Sequence, residues 1–470
     1  MKNLFIISVI VLTTTITSFA QYGSEGSKDA RSMSMGNTAN AISKNVFSIG
    51  TNPANIINSD EKITLSTLLP IPSISLTAGT NFISINNFNY YFGGVDGKGR
   101  ILSESDKQQL NSLFSNGGLM ITNTSLNLFS IGIKLKPSIG TFGFSINDIV
   151  EGSVTIPQAI SQIALYGNPQ NSVYNFNDSK ASAWWIRDYS LTYARELSEI
   201  HQNLFSSIGA GVTFKLVQGF AYAGSQQISS SFSTGSQNQL SFEANNSFLS
   251  AFSDNFHVKY SFSNDTGKTK MSLFPTPAGS GFGVDLGLNA SIGQKWNFAL
   301  AVTDIGSINW NKNTAVTYSS GQYTATDLFD KSQQDSLKNK FKGTSDSTGS
   351  FSTNLPTALR LGASYKFYFK ETFPGTLLVA MDINQGFNNM PGNSTKTRVS
   401  IGAEWKPMDW VPFIRTGFSF GGLTGFHWGL GLGIEAGVLE FNLSTYDMQT
   451  LVSPSSGKYL SLAFNSLWKF

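Results

Sequence analysis

Histidine is the side chain most often used as a general base near neutral pH, and this 470-residue chain has only three: His201, His257 and His427. A hydrolase would need a hydroxyl and a carboxylate that both reach one imidazole, and no known motif lies beside any of the three. No pair of histidines or carboxylates has metal-ligand spacing, and there is no cysteine. We therefore expect no enzyme, no metal and no cofactor, with a Ser-His hydrolase using His427 as the one catalytic alternative left open.

The composition indicates a membrane β-protein. Only 13% of the residues are charged, against about 25% in soluble domains. The chain also has 13% aromatic residues and 45 glycines, and beyond its first residues no apolar run approaches the 18 that a membrane helix needs. These features fit a transmembrane β-barrel, in which only every second side chain must be apolar; the alternative is a secreted β-sandwich or β-propeller. A net charge of +3 without a basic cluster gives no indication of nucleic-acid binding.

The amino-terminal residues divide into two segments. Lys2, the apolar run from Leu4 to Leu12, and Ser18 and Ala20 predict a secretory signal peptide over residues 1–20. Residues 21–62 have many small side chains and no sustained alternation, so they predict a compact irregular or partly helical unit. Residues 63–470 are predicted to form the barrel.

The carboxy-terminal stretch Tyr459 to Phe470 is predicted to be the last strand. Its apolar side chains fall on one parity and its polar side chains mostly on the other, as in a strand with one apolar face. Only Ser466 and Leu467 break this alternation. Twelve further strands pair through six hairpins with short turns, and one more strand is expected within Ser73 to Tyr91. Together with the last strand, this predicts fourteen membrane-spanning strands, with twelve to sixteen allowed. The hairpins are Thr122–Leu135 with Gly140–Ile149, Trp185–Glu196 with Asn203–Val217, Gly281–Ile292 with Asn297–Trp310, Ala358–Phe369 with Thr376–Asn384, Arg398–Trp405 with Pro412–Phe420, and Phe426–Glu435 with Leu439–Tyr446.

Long segments between the hairpins are expected on the outer side of the membrane. Within residues 218–280, extra strands at Gln226–Phe232 and Asn255–Phe262 are predicted to extend the sheet above the membrane, and a helix is predicted over Ser103–Phe114. Six tryptophans near strand ends are expected in interfacial girdles: Trp184, Trp185, Trp310, Trp405, Trp410 and Trp468.

Charged residues on the polar faces of the strands are predicted to point into the lumen, because a charge facing lipid near the midplane costs up to about 2–4 kcal/mol. They are Lys134, Lys215, Asp285, Arg360, Lys366, Asp382, Arg398, Glu404, Arg415, Glu435 and Glu440. Ion pairs that hold the interior together are the favoured interpretation, and ligand gating or ion selectivity is the alternative.

Two features resemble a known family. Met35-Gly36 within Ala30 to Ala41, followed by Asn52-Pro53-Ala54, resembles the amino-terminal hatch of the long-chain fatty acid transporter (FadL) superfamily, which also contains PorV-like secretion components. The last strand, with Phe464, Trp468 and a terminal Phe470, resembles the sorting signal of outer-membrane barrels. The resemblance implies an all-β, 14-stranded barrel in the outer membrane of a Gram-negative bacterium, closed from the periplasmic side by a hatch.

Two functions follow from this resemblance. In the first, the barrel carries small hydrophobic molecules passively across the outer membrane. In the second, a PorV-like adaptor associates with a secretion-system protein and transports no small molecule. The expected partners are outer-membrane lipid, the barrel-assembly machinery, and either the hydrophobic molecules or the secretion protein.

Deleting Phe470 should lower the fraction of the chain that assembles, because the terminal residue resembles the sorting signal. A closed barrel migrates differently on gels before and after boiling, and the intensity of the heat-sensitive band measures assembly. Unchanged assembly would contradict the interpretation of the last strand.

Overall fold

The computed structural model describes residues 23–25, 29–197, 204–260, 262, 267–270, 272–327, 330–369 and 374–470. The predicted signal peptide and His201 lie outside the described residues.

One sheet contains all the named strands of the described chain. In chain order they are β1 (Ile63–Thr67), β2 (Ser73–Thr80), β3 (Gly118–Lys134), β4 (Thr141–Ile156), β5 (Val173–Asn175), β6 (Lys180–Glu196), β7 (Ser207–Gln227), β8 (Ser230–Thr234), β9 (Leu240–Phe252), β10 (Gly279–Ile292), β11 (Trp296–Trp310), β12 (Ala315–Ala325), β13 (Thr344–Ser347), β14 (Phe351–Asn354), β15 (Ala358–Phe369), β16 (Gly375–Gly386), β17 (Arg398–Lys406), β18 (Phe413–Gly421), β19 (His427–Ala436), β20 (Leu439–Thr445) and β21 (Tyr459–Lys469).

The wall is a closed barrel of fourteen antiparallel strands, which confirms the predicted fold. β1 and β2 together form its first strand, and both pair with β3 on one side and with β21 on the other. β14 and β15 likewise form one strand, since both pair with β11. Closure leaves no open edge in the wall, as a bilayer requires.

The alternation along the strands separates an apolar outer face from a polar inner face. On β10, Phe282, Leu286 and Leu288 are exposed on the outer face, whereas Asp285 is fully buried inside. Short connections lie at the end of the barrel where β21 finishes. The tightest joins β19 to β20 through Gly437 and Val438, and Gly437 has a φ of +61°, which glycine adopts without strain.

A smaller sheet extends beyond the opposite end of the barrel. β9 pairs with the outer part of β7, and the sheet then continues through β12 to β13 on one side and through β8 to β5 on the other. Tyr174, Phe232 and Leu240 are buried together in this extension. The predicted strand over Asn255–Phe262 is wrong: a short 3₁₀ turn over Asp254–Phe256 begins this stretch, and the second strand of the extension is instead β9.

The α-helices of the described chain are α1 (Ala30–Ser34), α2 (Ile85–Phe92), α3 (Glu104–Ser112), α4 (Gln158–Tyr166), α5 (Lys331–Phe341) and α6 (Met448–Val452), and 3₁₀ turns cover Asn45–Ser48, Pro53–Asn58, Asp254–Phe256 and Pro454–Ser456. None of the helices in the described ranges is long and apolar enough to cross a membrane.

α3 lies within the predicted Ser103–Phe114 helix. Hydrogen bonds from Ser103 lower the pKa of the exposed Asp106 at its start, and Asp106 in turn accepts from the Tyr90 hydroxyl and raises the pKa of Tyr90.

Irregular pairing changes which side chains reach the lumen. The register between β10 and β11 shifts after Val284, so both Thr303 and Asp304 point inward. Beyond this bulge the inward parity of β11 is reversed, and Trp310 is buried inside the barrel. Trp184, on the inner face of β6, is buried there too. The prediction that these two tryptophans belong to an interfacial girdle is therefore wrong.

A substitution on the outer face tests whether the exposed apolar side chains of the wall contact lipid. Leu286→Arg places a charge on the outer face of β10 and should reduce barrel stability by about 2–4 kcal/mol, since lipid cannot solvate it. The matched control is Ile101→Arg, because Ile101 is 96% exposed in the outer connection between β2 and β3. The measurement is the urea midpoint of the barrel folded in lipid vesicles. Equal midpoints for the two variants would show that Leu286 does not face lipid.

Candidate functional site

Residues 23–25 and 29–60 lie inside the barrel and contact strands all around the wall. Polar atoms of this internal segment pair with β10, β11, β15, β16, β17 and β21. Nearly every side chain in it is buried, including many that are polar. The candidate site is therefore the interface between the internal segment and the inner face of the wall.

The helix α1 is held by a buried charge cluster. Asp29 caps its first turn, and Arg31 donates to both carboxylate oxygens of Glu404 at 2.7 and 2.8 Å. Arg415 donates to the same carboxylate at 2.6 Å and also to Asn442. Glu404 thus pairs with one cation of the segment and one of the wall, and this shared contact fixes α1 against β17 and β18.

The Asn-Pro-Ala turn is bound to the wall by backbone groups. Asn52 caps the 3₁₀ turn through the backbone N–H of Ala54 and donates to the carbonyl of Leu288 at 3.1 Å. Pro53 lies in the first turn and packs against Gly211, where a side chain would collide with the segment backbone. These contacts give Asn52, Pro53 and Ala54 a positional role.

Asp382 binds the middle of the internal segment. One of its oxygens accepts the backbone N–H groups of Ala39 and Asn40 at 2.7 and 2.8 Å. Asn40 then donates to the carbonyls of Ala299 and Arg360 at 3.0 Å each. A carboxylate that accepts two backbone donors acts here as a fixed anchor for the chain.

Met35 and Gly36 pack directly on wall backbone. Met35 is fully buried, and a Cβ added at Gly402 would lie 2.5 Å from its carbonyl oxygen. Gly36 has a φ of +69°, and a Cβ added there would lie 2.7 Å from the backbone of Phe418. Glycines on both surfaces therefore permit the close approach.

Residues 23–25 are bound by two buried arginines of the wall. Arg360 donates to the carbonyl of Gly23 at 2.7 Å, and Arg398 donates to that of Ser24 at 3.0 Å. The Glu25 carboxylate accepts the backbone N–H of Leu423 at 2.7 Å. Glu25 has no motif around it that would single it out in the sequence.

A second buried cluster joins three wall strands without the internal segment. The Lys215 ammonium lies 2.8 Å from Asp285 and 2.6 Å from Asp304. Asp304 is absent from the predicted lumen charges because plain alternation would place it outside. A similar pair, Arg187 with Asp148, was also missed. Both residues are fully buried, but they lie on the outward parity of β6 and β4, where Leu273 and Phe274 cover Arg187, so plain alternation did not identify them.

The remaining predicted lumen charges lie on the inner parity near the end with short turns. Lys134 donates to the carbonyl of Ser59, and Lys366 lies 5.3 Å from the Tyr368 ring centre. Lys469 pairs with Glu435 at 2.7 Å and with Glu440 at 3.7 Å. This end of the lumen thus carries paired charges as well.

The last strand closes the wall as its sequence suggests, except at its break in alternation. Phe470 exchanges backbone hydrogen bonds with Ile63, and Phe464 pairs with Ile74. Between these points residues 68–72 have no ladder partner in the wall, and Ser466 instead donates to the carbonyl of Ile71 at 2.6 Å. Trp468 donates to the carbonyl of Leu69.

A small cavity of about 20 Å³ lies beside this break. It is bounded by Ser73 and Asn127 of the wall and by Val46 and Phe47 of the internal segment. Opposite residues 68–72, Leu128 forms a bulge between β3 and β4. The wall is therefore irregular beside this cavity.

The two described histidines lie apart in the fold. His257 ends the 3₁₀ turn between β9 and β10, next to Gly267. His427 is buried at the start of β19, with its two ring nitrogens next to Asp447 and Thr424. Among the described residues, no three His, Asp or Glu side chains are grouped as metal ligands.

A family model matches residues 53–445, which is most of the chain. It describes a family of unknown function, DUF5723. The chain belongs to this family. No relative was found among curated protein sequences.

Solved structures of similar fold include a transporter and a channel. The TodX toluene transporter of Pseudomonas putida has 12% identity and a TM-score of 0.46, with 96% of this chain and 99% of that chain covered. A TodX mutant described as a monoaromatic hydrocarbon channel has 11% identity and a TM-score of 0.48 over the same shares. A FadL homologue of Pseudomonas aeruginosa has 10% identity and a TM-score of 0.40, with 97% and 100% covered. At these values the likeness carries no argument about what the chain binds.

The charge cluster around α1 gives a stability test. Glu404→Leu should destabilise the barrel by about 3–5 kcal/mol, because it leaves the buried Arg31 and Arg415 without their shared partner. Glu104→Leu is the matched control, since the Glu104–Lys107 pair is exposed and contributes little. Urea unfolding in vesicles measures both, and a small effect of Glu404→Leu would show that α1 is not fixed by this cluster.

Proposed function

We propose that the chain is an outer-membrane barrel through which small hydrophobic molecules pass passively when the internal segment moves. In this proposal residues 1–20 are the signal peptide, residues 21–62 form a hatch, and residues 63–470 form the barrel. The apolar belt on the outer face supports the location, because lipid is the medium that such a belt matches.

The observation that carries the proposal is the cavity beside residues 68–72. Transfer of a hydrophobic molecule from water to lipid lowers its free energy. A gap in the strand ladder offers such a molecule a route from the lumen into the bilayer that does not pass through water. Leu69 and Ile71 are exposed on the outer face at the gap, while Val46 and Phe47 bound the cavity inside. The cavity itself is small and is lined mainly by polar side chains such as Ser73, Asn127 and Asn147, so the proposed passage requires the gap to widen.

The internal segment must move for a molecule to reach the cavity from the outer side. On that side, residues 23–25 and a buried cluster that includes Trp184, Trp310 and Leu355 fill the lumen of the described chain. The segment is held mainly by hydrogen bonds and ion pairs, which can exchange with water, and no disulfide ties it to the wall because the chain has no cysteine. A displacement of this segment is the step that would open the route.

A disulfide lock tests this step. Ser34→Cys with Gly431→Cys should form a tether, because a Cβ added at Gly431 would lie 2.6 Å from that of Ser34, and a displacement of about 1 Å between the two backbones brings them to disulfide geometry. Oxidised cells should lose uptake of a radiolabelled long-chain fatty acid and a monocyclic hydrocarbon, and reductant should restore it. The control is Ser364→Cys with Ala380→Cys, which pairs two neighbouring wall strands and leaves the internal segment free.

Two outcomes would count against transport. The first is equal uptake by the oxidised lock and the control. The second is purification from outer membranes in mild detergent with a stoichiometric protein partner and no bound hydrophobic molecule, which would favour the adaptor function.

A further inference from the structure

The connection between β18 and β19 presents a threonine hydroxyl to a buried imidazole. It runs Gly421-Gly422-Leu423-Thr424-Gly425, and its three glycines have φ values of +84°, +65° and +87°. The resulting tight turn brings Thr424 back over the first residue of β19. The Thr424 hydroxyl oxygen lies 2.7 Å from Nε2 of His427.

The imidazole is oriented by a carboxylate on its other side. Nδ1 of His427 lies 2.6 Å from Oδ1 of Asp447, and both side chains are almost fully buried. Because a carboxylate only accepts, Nδ1 carries the proton of the neutral ring, and Nε2 can accept the Thr424 hydroxyl proton when that proton is not donated to Glu25. Tyr446 stacks on the ring with centres 4.2 Å apart, which holds its plane. Hydroxyl, imidazole and carboxylate are thus in the order and at the distances of a hydrolytic triad.

The same turn holds an anion next to the hydroxyl. The backbone N–H of Leu423 donates to one oxygen of the Glu25 carboxylate at 2.7 Å, and the Thr424 hydroxyl lies 3.3 Å from the other. A carboxylate in this position has the shape and charge of the acid that ester hydrolysis releases. Glu25, Thr424 and His427 also border a small cavity of about 10 Å³, whose other walls include Met33 and Ile121.

We propose that Thr424, His427 and Asp447 form a hydrolytic site for carboxylic esters, and that Glu25 blocks it until the internal segment moves. Thr424 Oγ1 attacks the ester carbonyl carbon while its proton passes to Nε2 of His427. The Leu423 N–H, vacated by Glu25, stabilises the oxyanion. The alcohol leaves with the proton from Nε2, and a water molecule activated by His427 then hydrolyses the acyl-threonine to the free acid.

This inference goes beyond the proposed transport function and needs a different readout. The full chain folded in detergent micelles is incubated with p-nitrophenyl butyrate, and in parallel with a fluorophosphonate probe whose attachment site is located by mass spectrometry. The wild-type chain should react slowly, whereas Glu25→Ala should hydrolyse faster and carry the probe on Thr424. In the Glu25→Ala background, His427→Asn and Asp447→Asn should lower the rate by on the order of 10³-fold.

Controls separate chemistry from folding. Thr424→Val in the Glu25→Ala background should abolish labelling, and Thr424→Ser should retain it. Thr395→Val alters an exposed threonine of the neighbouring outer connection and should change nothing. Each variant is checked for the gel shift of a closed barrel. No label on Thr424 in folded Glu25→Ala, or equal hydrolysis with and without His427→Asn, overturns the proposal.

Discussion

The structure depends on the requirement that every strand of the wall be hydrogen-bonded on both sides. A bilayer offers no water to satisfy a free backbone edge, so the first and last strands must meet. Closure gives each strand one face toward lipid and one toward the lumen, and it thereby commits Lys215, Asp285 and Arg398 to the interior. Buried charges are costly unless they are paired, so the interior needs partners that the wall alone does not supply in full.

The internal segment supplies many of those partners from its backbone as well as its side chains. Asp382 accepts two of its N–H groups, and Arg360 and Arg398 donate to its carbonyls near residues 23 and 24. Where side chains are used, as in Arg31 with Glu404, one carboxylate serves both the segment and the wall. Wall and segment are therefore complementary, and neither would have all its buried polar groups paired without the other.

The sequence was sufficient to predict the wall because the alternation of side chains is a local property. The strand β15 begins and ends at its predicted residues, and the break at Ser466 and Leu467 coincides with the interrupted first strand. Local patterns fail where one residue is inserted into a ladder. The bulge at Asp304 reverses the parity of β11, and nothing in the plain alternation marks it.

The polar contacts of the candidate site were harder to predict for another reason. Thr424 and His427 are close in sequence, but Asp447 reaches the ring only because β19 and β20 pair as a hairpin. Glu25 meets the same turn from the far end of the chain. From the sequence alone, His427 had no recognisable partner. Its contacts with Asp447 and with the turn that binds Glu25 could be identified only once the strand register was known.

The position of the internal segment has a consequence for how the barrel is made. The segment directly precedes β1, yet it contacts strands from the whole circumference, and the joint between the first and last strands brings together residues about 400 positions apart, as with Ile63 and Phe470. Such non-local contacts form late and slowly. The wall must therefore close around a segment that is synthesised before it. That segment can act as an internal template that sets the circumference of the barrel before the first and last strands pair.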